Sequence, residues 1–221
     1  MESVADRKKR VRKILRVLAK TFPDVKCPLN YSNPLELLVA TILSAQCTDA
    51  RVNMESPKIF AKYQTARDFA EAPREDLESL FKSCGTFRRK AIAVQEACRA
   101  LAEHHNGEVP ADIEVLSKLP GIGRKTANVV LGNAFGIPSI MVDTHVLRLS
   151  GRLGLASAHN VEKKYAAKVE RELLEIVPKK DGTLFSHVVG ALGRTICVAR
   201  KPKCPECPVA VLCPYPEKTE G

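Results

Sequence analysis

The chain has 221 residues, 45% apolar and 27% charged, a globular balance that excludes disordered, collagen-like and low-complexity classes. That length allows one large or two small domains, each able to bury a core without disulfides. Lysine and arginine number 35 against 25 acids, for a net charge of +10 that points to a polyanionic partner, while 5% aromatics and no tryptophan disfavour recognition by stacked single-stranded bases. The charged opening residues lack the apolar region of a signal peptide, and no eighteen apolar residues run together, so neither secretion nor membrane spanning is expected.

Residues 1 to 20 hold eight Lys or Arg against Glu2 and Asp6, which is +6 of the total. Val11, Ile14, Leu15, Leu18 and Phe22 recur there at three- and four-residue spacing, predicting an amphipathic helix with one docked stripe. Its basic face either stays solvated or touches a nucleic acid. Next, Asn33-Pro34-Leu35-Glu36 supplies an N-cap, a proline at the first helical position and a Glu three residues after the cap. A nearly all-apolar, buried helix through Leu43 follows, ending in the polar stretch Ser44-Ala45-Gln46-Cys47-Thr48-Asp49. Asp49 is read as the cap of another helix, which Pro57 is expected to kink or break, with a new start near Ser56.

Further helices are predicted from Pro73 to Cys84, stopped by Gly85, from Phe87 to His105, stopped by Gly107, and from Asp112 to Leu119. Beyond residue 137 come Thr144 to Leu153, Asn160 to Val177 with an Asn cap, and Thr183 to Ile196. Period-2 alternation is absent, so the fold is read as all-α, with no internal repeat.

Leu119-Pro120-Gly121-Ile122-Gly123-Arg124-Lys125-Thr126-Ala127 joins two helices through a turn that only two glycines at this spacing permit. Such a turn aims backbone N–H groups outward at a helix N-terminus, an anion site suited to a DNA phosphate. Gly-x-Gly alone occurs in ordinary helix connections; the full string is far more specific. Lys125 falls in the first turn of the following helix, where a lysine serves either as a phosphate ligand or, when neutral, as a nucleophile. Eighteen positions on, Val142-Asp143-Thr144-His145 sets an acid at a helix start, suited to capping or to catalysis.

Of the eight cysteines, Cys27, Cys47, Cys84 and Cys98 are scattered and read as small buried hydrophobes in a reducing compartment. Cys197, Cys204, Cys207 and Cys213 form a C-x6-C-x2-C-x5-C array, whose four soft ligands suit a tetrahedral zinc or a 4Fe-4S cube equally well on spacing. Between the first two runs a loop with Arg200, Lys201 and Lys203 and no acid, assigned to the DNA backbone.

At Leu119 to Ala127 and Val142 to His145 the chain resembles the helix-hairpin-helix DNA glycosylase superfamily. With Ser44-Ala45-Gln46 and the four terminal cysteines it resembles the endonuclease III family, from about Ile14 to Tyr215. The resemblance implies a six-helix barrel over residues 28–136 with the hairpin, packed on an iron–sulfur domain made of 1–27 and 137–221, with the site in the cleft between them. It implies base-excision repair of duplex DNA carrying oxidised pyrimidines or abasic sites, by a monomer in the cytoplasm and nucleoid. Lys125 would form a Schiff base with C1′ of a flipped nucleotide and β-eliminate the 3′ phosphate, while Asp143 would activate the lysine and stabilise the cationic sugar. The hairpin residues Gly121, Gly123, Arg124 and Thr126 would hold the DNA backbone, and Gln46 would fill the gap left by the extruded base. His145 receives no role beyond an interhelical hydrogen bond. The four cysteines would carry a 4Fe-4S cluster rather than zinc.

Monofunctional adenine or mismatch glycosylases of the superfamily are disfavoured, since they replace the lysine at Lys125 and the adenine enzyme has a Glu where Ile42 stands. A non-catalytic hairpin module would need neither Lys125 nor Asp143. One departure stands out: the residue after Gly85, usually a bulky apolar wedge in the family, is Thr86, followed by Phe87. A threonine offers less apolar area to an opened base stack, which implies a preference for abasic or strongly distorting lesions.

Overall fold

The structure, a computed structural model, describes residues 2–220, and among them there is no strand. Twelve α-helices follow one another: α1 Val4–Thr21, α2 Pro34–Leu43, α3 Asp49–Lys62, α4 Ala66–Glu71, α5 Arg74–Phe81, α6 Phe87–His104, α7 Ile113–Leu116, α8 Arg124–Ala134, α9 Thr144–Arg152, α10 Ala158–Glu162, α11 Ala166–Ile176 and α12 Gly182–Thr195. No helix is long and apolar enough to cross a membrane among the described residues. The chain divides into two compact units: residues 27–137, and residues up to 26 together with those from 138 on.

In the first unit α2 begins as its sequence dictates, with the Asn33 side chain accepting from the Glu36 N–H and Pro34 at the first helical position. Eight of its residues are buried, from Leu35 to Leu43, and it packs against α6 and α8. Around it Ile59, Phe69, Leu77, Phe81, Val94, Leu101 and Leu116 are at most 1% exposed. Each such side chain contributes roughly 1.5–3 kcal/mol on leaving water.

Four departures from expectation appear here. Helix α3 is capped by Thr48, whose hydroxyl accepts from the Arg51 N–H, so Asp49 lies inside it. The helix also runs unbroken through Pro57. Proline removes the N–H that would bond the Asn53 carbonyl, and the Ser56 hydroxyl donates to that carbonyl instead, at 3.5 Å. Helix α4 was not foreseen, although Thr65 and Asp68 close a reciprocal capping box at its start. The helix expected over 73–84 ends at Phe81 and tightens into a 3-10 turn over Lys82–Cys84.

The second unit is built on α1, whose buried Val11, Ile14, Leu15 and Leu18 pack against α11 and α12. The basic face of α1 is partly spent inside the protein. Arg10 donates to the carbonyls of Leu153 (2.6 Å), Leu212 (3.2 Å) and Gly154 (3.4 Å), and pairs with Glu2 at 2.6 Å. That bond to Arg10 holds the Glu2 carboxyl below its ordinary pKa. The single helix expected over 160–177 is two helices. Ser157 caps α10, and Lys164, with φ +55°, turns the chain before α11.

Candidate active site

The hairpin lies in unit 27–137 and joins α7 to α8. Gly121 has φ +72°, and a Cβ there would stand 2.8 Å from the Ala93 Cβ on α6, so both conformation and close packing require glycine. Gly123 is different: its backbone is extended and a Cβ would meet nothing within 4 Å. The expectation that the turn needs both glycines is therefore corrected. The second one leaves uncovered the first-turn N–H groups of α8, which lack intrahelical acceptors, and no side chain caps them. Arg124 is half-buried, 3.3 Å from the Glu114 carboxylate, and Thr126 is half-buried too. Lys125 is exposed in the first turn of α8.

Asp143 belongs to the second unit and caps α9. Its Oδ1 accepts from the N–H groups of His145 (2.9 Å) and Val146 (2.7 Å), leaving Oδ2 outside these bonds. Both readings of this acid survive: it is a cap, and its second oxygen is available for chemistry. His145 lies 3.3 Å from the Arg148 guanidinium on its own helix and packs against Gly193 of α12, whose added Cβ would come within 2.9 Å.

Two strained turns meet in unit 27–137. Gln46 is exposed with φ +54°, and Thr86 is exposed with φ +42°, directly after Gly85 at φ +64°. Left-handed backbone is unusual for any non-glycine residue and more so for a β-branched one. A Cβ on Gly85 would lie 3.8 Å from the Gln46 carbonyl oxygen, so the two turns are neighbours. Thr86 occupies the N-cap position of α6 but its side chain makes no capping hydrogen bond. Phe87 is half-buried, with the Arg88 guanidinium 5.3 Å from its ring centroid.

The four terminal cysteines, each half-buried and free of disulfides, line one pocket with Leu149, Leu192 and Pro202. Among the described residues no three His, Cys, Asp or Glu are placed to hold a single metal ion. Four thiols lining one pocket fit the donor set of a 4Fe-4S cube. Two arginines of α9 fix the approach to this pocket. Arg152 donates to the Cys197 Sγ (3.3 Å) and to the carbonyls of Val198 (2.7 Å) and Ala199 (2.8 Å), with its guanidinium 5.0 Å from the Tyr215 ring centroid. Arg148 donates to the carbonyls of Gly193 (2.8 Å) and Cys197 (2.9 Å).

The basic loop closes with the Lys203 N–H on the Ile196 carbonyl at 3.0 Å, and Pro202 is buried beneath it. Arg200, Lys201 and Lys203 are left exposed, Lys203 lying 3.7 Å from the Glu206 carboxylate. Sequence reasoning did not single out Arg148, Arg152 or Lys90. For Lys90 a signal existed, since it falls on the stripe shared by Val94, Ala97 and Leu101, a position where a cation has to be satisfied internally.

Residues 39–179 match the family model of the HhH-GPD superfamily base excision DNA repair protein, and residues 197–213 match that of the iron-sulfur binding domain of endonuclease III. Endonuclease III of Synechocystis sp. is 47% identical over 215 residues, covering 97% of this chain and 96% of its own. The Escherichia coli K12 enzyme is 42% identical over 207 residues, covering 94% and 96%. A solved structure of a trapped endonuclease III-DNA covalent intermediate, an estranged-adenine complex, aligns with a TM-score of 0.86 at 45% identity, covering 97% of each chain. A thermostable thymine-DNA glycosylase at 24% identity and TM-score 0.83 shares the fold. The hairpin, the acid, the paired turns and the cysteine pocket, together with these matches, place the chain in the endonuclease III family of base-excision DNA repair enzymes, DNA glycosylases and abasic-site lyases that carry a 4Fe-4S cluster.

Proposed function

We propose that this enzyme removes oxidised pyrimidines from duplex DNA and cleaves the resulting abasic site, with Lys125 as nucleophile and Asp143 as its activating carboxylate. The observation that carries the assignment is Lys125 itself: an exposed amine in the first turn of α8, beside a glycine that leaves the neighbouring amides uncovered. Those amides, with Gly121, Arg124 and Thr126, engage a phosphate and bring C1′ of the flipped nucleotide to the amine. As the Nζ–C1′ bond forms, the glycosidic bond breaks and the base leaves with a proton. Opening of the sugar ring at O4′ then gives the iminium, and loss of a C2′ proton expels the 3′ phosphate by breaking C3′–O3′. An amine opens this route; a hydroxyl, which forms no iminium, does not.

Gln46 and Thr86, with Phe87 behind, enter the gap left by the extruded base, and the proximity of their two turns supports a joint action. Residues 27–137 form the barrel domain, and the other unit is the iron–sulfur domain. Cys197, Cys204, Cys207 and Cys213 hold the cluster, which when bound cross-links a segment with little core of its own. Arg200, Lys201 and Lys203 of that segment contact the DNA backbone. The chain works as a monomer in a reducing cytoplasm. Incision of duplexes carrying an oxidised pyrimidine, an abasic site or a mismatched adenine tests the reading. Cleavage of the first two and not the third is expected, and excision of adenine without strand cleavage would overturn it.

A further inference from the structure

Lys90 is 4% exposed, in the first turn of α6, where the helix dipole opposes a cation. Its ammonium donates to the Leu43 carbonyl at 2.8 Å and to the Cys84 carbonyl at 2.5 Å. Leu43 is the last residue of α2, three before Gln46, and Cys84 ends the 3-10 turn, two before Thr86. One buried charge therefore joins the roots of both strained turns. The turns are neighbours, an added Cβ on Gly85 falling 3.8 Å from the Gln46 carbonyl oxygen, and left-handed residues persist only where the surroundings over-determine them. Burial pulls the lysine's pKa down, and the Cys47 and Cys84 sulfurs beside it oppose that pull.

We infer that Lys90 is a positioning residue that locks the Gln46 and Thr86 turns into one rigid unit, so that both side chains enter the base stack together. The inference rests on the reading that these two residues enter DNA. It makes Lys90 dispensable for chemistry on a site already open and necessary where a paired base must be extruded. The substitutions are Lys90→Met, which deletes the donors at nearly constant volume, and Lys90→Arg, which keeps charge and donors. Two readouts separate positioning from general stability: fluorescence of 2-aminopurine placed opposite the lesion, which reports opening of the stack before chemistry, and the ratio of single-turnover rates on a paired oxidised pyrimidine and a preformed abasic site.

For Lys90→Met the fluorescence rise should be lost and the rate ratio should fall about 10- to 100-fold, the scale of lost hydrogen bonds to a charged group. Cluster absorbance and abasic-site incision should persist, and Lys90→Arg should recover most of the rise. Equal loss on both substrates in a folded protein, or an unchanged ratio, overturns the inference. If Lys90→Met does not fold, Lys90→Gln is read the same way, and failure of both to fold assigns Lys90 to stability alone and also overturns it. A double Gln46→Ala, Thr86→Ala variant separates the underlying reading. If that variant keeps the fluorescence rise, entry of the two side chains into the stack is wrong; if it loses the rise while Lys90→Met keeps it, only the positioning role is wrong.

Discussion

Residues 27–137 and the segment 197–213 are held by different physics. The first is helix on helix, with Ile59, Phe69, Leu77, Phe81 and Leu101 each at most 1% exposed. In the second only Pro202 and Val209 are buried, and its regular structure is two 3-10 turns, Cys204–Glu206 and Ala210–Leu212. What the segment has instead is four cysteines around one pocket and arginines from α9 on its carbonyls. A run too short for its own core needs cross-links, and here they leave the cations of the basic loop free to face outward. A core fixes where the hairpin points, whereas ligation fixes where a charged loop points.

Substitutions should break the two regions separately. The largest effect on turnover outside the nucleophile belongs to Asp143→Asn, which keeps an N-capping side chain on α9: excision should fall by about 10²–10⁴-fold with DNA affinity and melting temperature nearly unchanged. Loss of binding together with unfolding would reduce Asp143 to a cap. Next, Phe69→Ala should cost about 3–5 kcal/mol in the unit 27–137 and leave the iron content intact. Cys207→Ser should do the reverse, releasing iron and exposing 197–213 to protease while hydrogen exchange in α2 and α6 stays slow. Collapse of both regions in either variant would contradict their independence.

A smaller effect is expected for charge reversal at Arg200, Lys201 and Lys203. It should weaken binding to all duplexes alike and flatten the slope of log K against log salt by about 0.9 for each phosphate that is no longer neutralised. A change confined to one sequence would argue against backbone binding. Smallest is Thr86→Leu, expected to raise the rate on well-paired lesions a fewfold relative to abasic sites through added apolar area in the stack. If that ratio does not move, and Phe87→Ala abolishes activity without unfolding, the wedge is Phe87.

Much of this was legible in the sequence because it is written in local chemistry. The Asn33-Pro34 start of α2, the hairpin string and the cysteine spacing each depend on residues close in the chain. What escaped depends on partners that periodicity does not weigh. The Ser56 hydroxyl carries α3 past Pro57, a three-residue break over Lys163, Lys164 and Tyr165 splits one amphipathic pattern into α10 and α11, and the Thr65–Asp68 box starts a helix too short for its stripe to register. Lys90 escaped because the carbonyls it satisfies lie 47 and 6 residues away. Gly123 was read as a folding requirement, whereas its surroundings leave room for a side chain.

The central claim is that an amine at position 125 forms a covalent bond with the sugar. Borohydride reduction during turnover on duplex DNA with an abasic site, followed by denaturing electrophoresis and peptide mapping, tests it most directly. The account predicts a trapped protein–DNA adduct mapping to Lys125 and absent in Lys125→Gln, with the variant still folded and still binding DNA. An adduct of undiminished yield in Lys125→Gln would contradict it and place the nucleophile elsewhere.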